Sequence, residues 1–289
     1  MTKEPQLAVS RQSFLTGRPT EMLRKALRDP GRNRWCAEQI EGLPPTTRIL
    51  DIGCGHGNLI NRIQTGFTHA VGVDMDAESL SVARASATNA QFIHQDGTSL
   101  PFSDDSFDVV ILSDVLEHVP RSQQRDVLLE ARRVIRTGGK LILTVPHTGV
   151  SASIDPMDVK RRFPRVYRAY SRLSGYVPTT SADIGHQHLS TPRLLSLLDG
   201  LFTVTSTRYC GLFEPLILWS QLVCDRILHL DPVVVYRVTR LRAWEGSLTY
   251  PRQLAYNVWI TGAALDEQAR NGMIASVAEV SRRETPENS

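Results

Sequence analysis

Arg48-Ile49-Leu50-Asp51-Ile52-Gly53-Cys54-Gly55-His56-Gly57 is the stretch that decides the fold of this chain. Its first half is an apolar run that contains one acidic residue, and its second half places glycine at every other position. Residues 58–63 then return to helical spacing, so the stretch predicts a buried strand, a tight turn and a helix. Glycines leave room against the backbone, and a helix N-terminus offers unpaired N–H donors. We therefore expect either a cradle for a small molecule or a tight turn that binds no ligand.

The composition predicts a globular protein with a sizeable core. The chain has 289 residues, of which 41% are hydrophobic, and a net charge of +3 from 33 basic and 30 acidic residues. The length predicts one large domain, or a core domain with appendages. The balanced charge gives no support to a nucleic-acid partner. The four cysteines lack CxxC spacing, so we expect reduced thiols in a cytoplasmic protein and no metal site.

Two regions bear on localisation. The first 19 residues lack the continuous apolar core of a signal peptide, so we expect no export. The most apolar region, residues 211–238, is interrupted by charged side chains. Its charge-free core, residues 215–224, is about half of the roughly 20 residues that a membrane-spanning helix needs. We therefore expect a cytoplasmic protein that does not cross the bilayer.

Apolar strands and helical segments alternate after the opening stretch. A helix broken near residues 29–31 is predicted upstream, over residues 20–40. Strands separated by helices imply right-handed crossovers and a parallel sheet covered on both faces, which is an α/β, doubly wound, Rossmann-like fold. The further strands are predicted at 69–74, 90–95, 107–113, 140–145, 202–208 and 255–264, and the further helices at 77–86, 122–135 and 191–198.

Polar loop residues follow the strands of this predicted sheet. In doubly wound sheets, ligands bind outside the carboxyl ends of the strands. The unusual residues all fall at such ends, so we expect them to converge on one site. They are Asp51 with the glycines, Asp74, Asp96-Gly97, Ser113-Asp114 and Pro146-His147.

Asp51 separates two classes of cofactor. It stands two residues before Gly53, where dinucleotide-binding loops of the G-x-G-x-x-G type seat a pyrophosphate. A carboxylate at this position repels a pyrophosphate and suits a ligand that carries a positive group. The spacing therefore favours a sulfonium-bearing nucleoside over NAD.

These residues resemble the motifs of the class I S-adenosylmethionine-dependent methyltransferases with a methyltransferase type 11-like core. The resemblance is strong over residues 45–147 and weaker over 186–264. Residues 51–57 match the D-x-G-x-G-x-G loop, and residues 71–74 match the motif whose acid takes both ribose hydroxyls. The resemblance implies S-adenosyl-L-methionine as cofactor and a seven-stranded, mostly parallel sheet with an antiparallel last strand. The cofactor-binding residues that it implies are Asp51, Gly53, Cys54, Gly55, Gly57, Asp74, Met75, Asp96, Gly97, Ser113 and His118.

Several of these positions also have a purely structural interpretation. The resemblance puts Met75 on the adenine ring and Asp96-Gly97 at the adenine amino group. Asp74 would otherwise cap the following helix, with Asp76 as the other candidate cap. Asp96 would otherwise form an Asp-Gly turn, and His118 would cap a helix or orient its loop.

Three histidines are candidates for a catalytic base. Methyl transfer from a sulfonium is an in-line displacement, in which alignment of donor and acceptor is worth roughly 7–11 kcal/mol. Some oxygen or nitrogen acceptors additionally require a general base, most often histidine. His147 directly follows the fifth strand, and His186 and His188 precede a helix. Each has a structural role as its alternative. The i, i+2 pair also suits a metal, but without a carboxylate or thiol partner in the sequence we expect none.

Two insertions, at about residues 148–188 and 209–250, extend the core. Both leave from the edge of the sheet that would hold the cofactor, so we expect them to cover the acceptor site. Residues 158–172 are basic and aromatic, which suits an anionic glycan, an anionic lipid surface or a solvated helix face. The second insertion is apolar and suits a lipid-like substrate, peripheral membrane contact, a homodimer interface or core packing.

We therefore predict an N-terminal helical extension at 1–46, a methyltransferase domain at 47–265 and a partly disordered tail at 266–289. The predicted activity is methyl transfer to a small-molecule, glycan or natural-product acceptor, on oxygen. The alternatives are a lipid-linked acceptor at the membrane surface, N- or C-methylation, and a cofactor-binding scaffold without activity. No Asn-Pro-Pro-Tyr-like tetrapeptide follows the fourth strand, so we expect no nucleic-acid substrate.

Overall fold

A computed structural model of the chain describes residues 31–87, 89–150, 187–222 and 248–266, together with positions 152 and 165. The strands in these ranges are β1 Arg48–Ile52, β2 His69–Asp74, β3 Gln91–His94, β4 Phe107–Ser113, β5 Ile135–Pro146, β6 Phe202–Cys210 and β7 Asn257–Ala264. The helices are α1 Arg32–Glu38, α2 Asn58–Ile63, α3 Ala77–Ala85, α4 Gln124–Val134, α5 Thr191–Leu198 and α6 Glu214–Leu222.

The strands form one sheet in the order β3-β2-β1-β4-β5-β7-β6. The pairs among β1 to β5 are parallel, whereas β7 runs antiparallel to both β5 and β6. This confirms the predicted α/β, doubly wound sheet with an antiparallel last strand. The strand order changes direction between β1 and β4. In doubly wound sheets, a ligand binds in the crevice at this topological switch point.

Helices cover both faces of the sheet. On one face, α4 and α5 pack on a core that includes Leu50, Leu112 and Leu143. On the other face, α1, α2 and α3 pack on a core that includes Ile49 and Ile111. The alternation of neighbouring residues between the two cores explains why β1 and β4 are almost continuously apolar.

Helix α1 is docked on the sheet. The ring of Trp35 lies 5.1 Å from the ring of Trp259 in β7, centroid to centroid. Lys140 Nζ at the start of β5 donates a hydrogen bond to the carbonyl of Gln39, just after the helix. These two contacts hold α1 against the sheet.

Strand β5 differs from the prediction. The sequence predicts its start at Lys140, after a Thr-Gly-Gly turn, but the structure begins it at Ile135. Ile135 pairs with Phe107, and the register then shifts before Lys140 pairs with Val109. Gly138 adopts a left-handed φ of +69°, which lets the strand carry this irregularity rather than end at it.

Several predictions concern residues beyond this description. The basic and aromatic stretch at 158–172 lies outside it apart from position 165, and so does the part of the helix predicted over 20–40 that precedes residue 31. Nothing here tests the proposed domain limits. In the ranges that the structure covers, no helix has both the length and the apolar character needed to cross a membrane.

Candidate functional site

The turn after β1 is built from glycines in the left-handed region of backbone space. Gly55 has a φ of +52°, and a Cβ added there would meet no atom within 4 Å, so this position faces open space. At Gly53, in contrast, a Cβ would lie 2.5 Å from Cγ2 of Val115, and at Gly57 it would lie 2.7 Å from Cζ of Phe92. Gly53 and Gly57 therefore permit close packing, and Gly55 leaves room for a ligand.

A cavity of about 320 Å³ lies at this turn. We call it the glycine-loop cavity. Its walls come from the turn after β1, the end of β4 and the start of α1. The lining residues are Arg32, Asn33, Asp51, Gly53, Cys54, Gly55, His56, Asn58, Leu59, Ser113 and Asp114.

A second cavity, of about 210 Å³, shares Gly53 and Asp114 with the first. We call it the Asp74 cavity. It lies at the carboxyl ends of β2 and β3 and is closed by the loop after β4. The lining residues are Ile52, Gly53, Val73, Asp74, Met75, Gln95, Asp96, Gly97, Asp114, Val115, His118, Val119 and Val127. Of the predicted cofactor-binding residues, only Gly57 lines neither described cavity.

Asp74 connects the two motifs that the sequence places apart. Its Oδ2 accepts a 2.6 Å hydrogen bond from the amide of Gly55, and its Oδ1 accepts one of 2.8 Å from the amide of Asp76. The cap of α3 is Asp76, whose carboxylate accepts from the amides of Glu78 and Ser79. Asp74 is therefore not the helix cap, and it lines the second cavity.

Met75 and Asp96 form the outer part of the Asp74 cavity. Met75 is 73% exposed, which leaves a large apolar side chain at the cavity wall. Asp96 Oδ1 accepts a 2.9 Å hydrogen bond from the amide of Thr98, which is the Asp-Gly turn offered as its structural alternative. This bond involves one oxygen, and the exposed carboxylate also borders the cavity.

Asp51 is a buried acid at the wall of the glycine-loop cavity. It is 3% exposed, and its Oδ1 has no hydrogen-bond partner among the described residues. Burial raises the pKa of Asp51 to about 7, with a smaller contribution from the charge of Asp74 and an opposing one from Arg32. A buried carboxyl without a partner is costly, so this wall favours a ligand with a positive charge or a hydrogen-bond donor.

Asp114 is held in a strained position where the two cavities meet. Its φ is +54°, an uncommon conformation for a residue with a side chain. The hydroxyl of Thr144 donates a 2.8 Å hydrogen bond to Oδ1, and the amide of Asp114 donates to the carbonyl of Thr144. Its Oδ2 forms an ion pair with Nη1 of Arg32. This arrangement fixes a carboxylate between the cavities.

Arg32 and Asn33 are site residues that the sequence did not predict. Both belong to α1 and line the glycine-loop cavity. The spacing of apolar residues identified the helix, but it carries no information on where the helix docks. The one available signal was a basic residue directly after Pro30-Gly31.

His118 and the adjacent Glu117 belong to the loop after β4. His118 lines that cavity, and burial together with the charge of Arg32 lowers its pKa. Glu117 is wholly buried, which raises its pKa to about 8, and its Oε1 lies 3.8 Å from Nε2 of His118. The thiol of Cys54, in the other cavity, also has a raised pKa because of burial.

Of the predicted catalytic histidines, His147 and His188 line neither described cavity. His147 is 4% exposed, its Nε2 lies 3.1 Å from Oγ1 of Thr191, and burial lowers its pKa. The same threonine oxygen lies 3.0 Å from the hydroxyl of Tyr209. The ring of His188 lies 5.5 Å from that of Tyr256. His186 is outside the described residues.

Residues 50–143 match the family model described as a methyltransferase domain. Over this segment the chain is similar to methyltransferase domains. The matched segment runs from β1 into β5 and contains most of both cavity walls. Arg32 and Asn33 lie before it.

Curated relatives of this chain match over part of their length. An uncharacterized methyltransferase of Mycobacterium tuberculosis is 34% identical over 113 residues, which is 38% of this chain and 43% of the relative. A demethylmenaquinone methyltransferase of Clavibacter sepedonicus is 36% identical over 99 residues, or 33% and 40% of the two chains. The chain thus matches less than half the length of either relative.

A solved structure shows the same fold. The YcgJ protein of Bacillus subtilis superposes with a TM-score of 0.51 at 18% identity, covering 82% of this chain and 98% of that one. At this level of identity the likeness concerns the fold, and the acceptor has to be argued from this chain's own residues.

Proposed function

We propose that the two cavities together hold S-adenosyl-L-methionine. The observation that carries the proposal is that two cavities share Gly53 and that a different carboxyl lines each of them. Asp51 lies in the glycine-loop cavity, and Asp74 lies in the Asp74 cavity. The first suits the positively charged amino-acid end of the cofactor, and the second suits the ribose hydroxyls. Met75 and Asp96 lie farther along the same cavity, where the adenine would follow.

The residues present therefore fit the cofactor. When bound, S-adenosylmethionine supplies a methyl group on a sulfonium, which an acceptor atom takes by in-line displacement. The protein's own contribution is to hold the two ends of the cofactor and to exclude water. The left-handed turn at Gly55 leaves open space at the cavity, and the bond between Gly55 and Asp74 holds the two lining segments together.

For the acceptor, we propose a small molecule, a glycan or a natural product that is methylated on oxygen. The basic and aromatic insertion after β5 supports an acidic acceptor. Among the histidines, His188 is better placed than His147 to serve as a base. The neighbouring Gln187 donates to the carbonyl of Val119, a residue of the Asp74 cavity wall, whereas His147 is tied to Thr191.

The experiment is a transfer assay with radiolabelled S-adenosylmethionine against fractionated cell extract. We expect labelled product with the wild type and none with Asp74→Ala. Substitution of His147, His186 and His188 by glutamine, one at a time, tests the base. Full turnover in all three variants would refute a histidine base and leave the methyltransferase assignment intact.

A second candidate acceptor is a lipid-linked molecule at a membrane surface. Four large apolar side chains are exposed on segments that follow β5 and β6 or precede β7, near the carboxyl edge of the sheet. One of the relatives is named a demethylmenaquinone methyltransferase. The exposed side chains are Val150, Phe213, Leu216 and Leu254.

Co-sedimentation with liposomes separates the two candidates. If the acceptor is lipid-linked, the wild type will sediment with vesicles, and a Phe213→Ser, Leu216→Ser variant will not. Leu129→Ser is the matched control, because this exposed leucine lies on α4, away from those segments. Loss of self-association in the double variant, without vesicle binding by the wild type, would instead identify a homodimer surface.

A further inference from the structure

We infer that Arg32 recognises the carboxylate of the cofactor's amino-acid end, so that α1 forms part of the cofactor site. The inference rests on the proposed function, because it assigns one residue to one group of S-adenosylmethionine.

Arg32 carries the one permanent positive charge among the eleven residues that line this cavity. The same lining contains two carboxyls, Asp51 and Asp114. The side chain of Arg32 is 27% exposed, and the residue lines the cavity.

The charges of the proposed ligand match this lining. The amino-acid end of the cofactor carries an ammonium and a carboxylate. The two acids suit the ammonium, but a ligand carboxylate placed beside Asp51 and Asp114 alone would be repelled. A guanidinium removes this conflict, since its planar fork of N–H donors pairs with a carboxylate through two parallel hydrogen bonds.

The structure already shows Arg32 pairing with a carboxylate at this place. Its Nη1 contacts Oδ2 of Asp114, and Thr144 holds the other oxygen of that carboxylate. The charge of Arg32 opposes the rise in pKa that burial causes at Asp51 and at Glu117, as expected of a guanidinium near these acids. A ligand carboxylate would therefore meet a guanidinium already oriented toward acids.

The position of Arg32 is set by the helix that carries it. Helix α1 is fixed by the Trp35–Trp259 ring contact and by the bond from Lys140 to Gln39. Arg32 is the first residue of this helix, so the core places its side chain over the end of β1. Arg32 is therefore a binding residue that the fold supplies to the cofactor site.

Calorimetry with S-adenosylmethionine and its decarboxylated form tests the inference, because the two ligands differ by the carboxylate only. We expect the wild type to prefer S-adenosylmethionine. Arg32→Met should weaken binding of S-adenosylmethionine by about 10- to 100-fold, the range for a charge-assisted hydrogen bond, and leave the decarboxylated ligand unaffected.

Arg34→Met is the matched control. Arg34 lies on the same helix, is exposed and pairs with Glu38 at 2.7 Å, so its loss should leave both affinities unchanged. Arg32→Lys retains the charge without the fork, and it should keep a reduced preference for S-adenosylmethionine. This variant serves if methionine at position 32 prevents folding.

Equal weakening of both ligands by Arg32→Met, or equal affinity of the wild type for both, would overturn the inference and leave the cofactor site in place. Failure of the wild type to bind S-adenosylmethionine at all would overturn the proposed function and the inference together. The pattern of affinities thus distinguishes the two failures.

Discussion

The amide of Gly55 donates a 2.6 Å hydrogen bond to Oδ2 of Asp74, 19 residues farther along the chain. This bond ties the turn after β1 to the end of β2. It joins a residue that lines the glycine-loop cavity to a residue that lines the Asp74 cavity.

Gly55→Ala should weaken binding of S-adenosylhomocysteine by at least about tenfold, because a methyl group would enter the open space of the cavity and the left-handed backbone costs roughly 1–2 kcal/mol. Gly138→Ala is the matched control. Its φ is also positive, and a Cβ there also meets nothing within 4 Å, but it lies outside both cavity walls. Calorimetry and thermal unfolding of both variants should show equal destabilisation and a loss of affinity in Gly55→Ala alone.

Asp76→Ala should destabilise the protein without affecting cofactor binding. This carboxylate caps α3, and loss of a cap costs about 0.5–2 kcal/mol. Urea denaturation measures the change in free energy of unfolding, and calorimetry measures the affinity. A loss of affinity comparable to that in Asp74→Ala would contradict the separate roles of the two acids.

Asp51 should make the folded state less stable as the pH rises. Its pKa is about 7 in the folded protein, against an ordinary value of 3.8. Between these values the unfolded chain is ionised while the folded protein keeps its proton. The stability from this group is therefore complete below about pH 4 and falls by about 1.4 kcal/mol per pH unit up to about pH 7.

Urea denaturation between pH 4 and pH 8 measures this slope. Asp51→Asn should flatten it, and the remaining slope should come from Glu117, whose pKa is raised in the same direction to about 8. An unchanged slope in Asp51→Asn would show that the carboxyl is not buried in the way described.

His147→Gln should reduce stability more than turnover. The ring is buried, and its Nε2 pairs with Thr191, so substitution disturbs a chain of contacts that continues to Tyr209. We expect a loss of about 1–3 kcal/mol in the free energy of unfolding. A variant as stable as the wild type but without turnover would identify His147 as the base after all.

Strand and motif predictions succeeded where the signal is local. The bounds of β2 and β4 match the predicted 69–74 and 107–113, because each strand is a short apolar run ended by polar residues. Asp74, Met75 and Asp96 line a cavity as expected, since strand ends converge in a parallel sheet. Their binding roles stay predictions.

Other features depend on packing between distant segments. Arg32 reaches the site because Trp35 docks on Trp259, more than 200 residues away, and no local pattern encodes that contact. Likewise, Gly53 and Gly57 look like ligand-cradling residues in sequence, and only the positions of Val115 and Phe92 show that they serve packing.

The central claim is that the paired cavities bind S-adenosylmethionine, and calorimetric titration with S-adenosylhomocysteine tests it most directly. We predict saturable binding at a single site in the wild type and a large loss of affinity in Asp74→Ala. No saturable binding by the wild type, or an unchanged affinity in Asp74→Ala, would contradict the account.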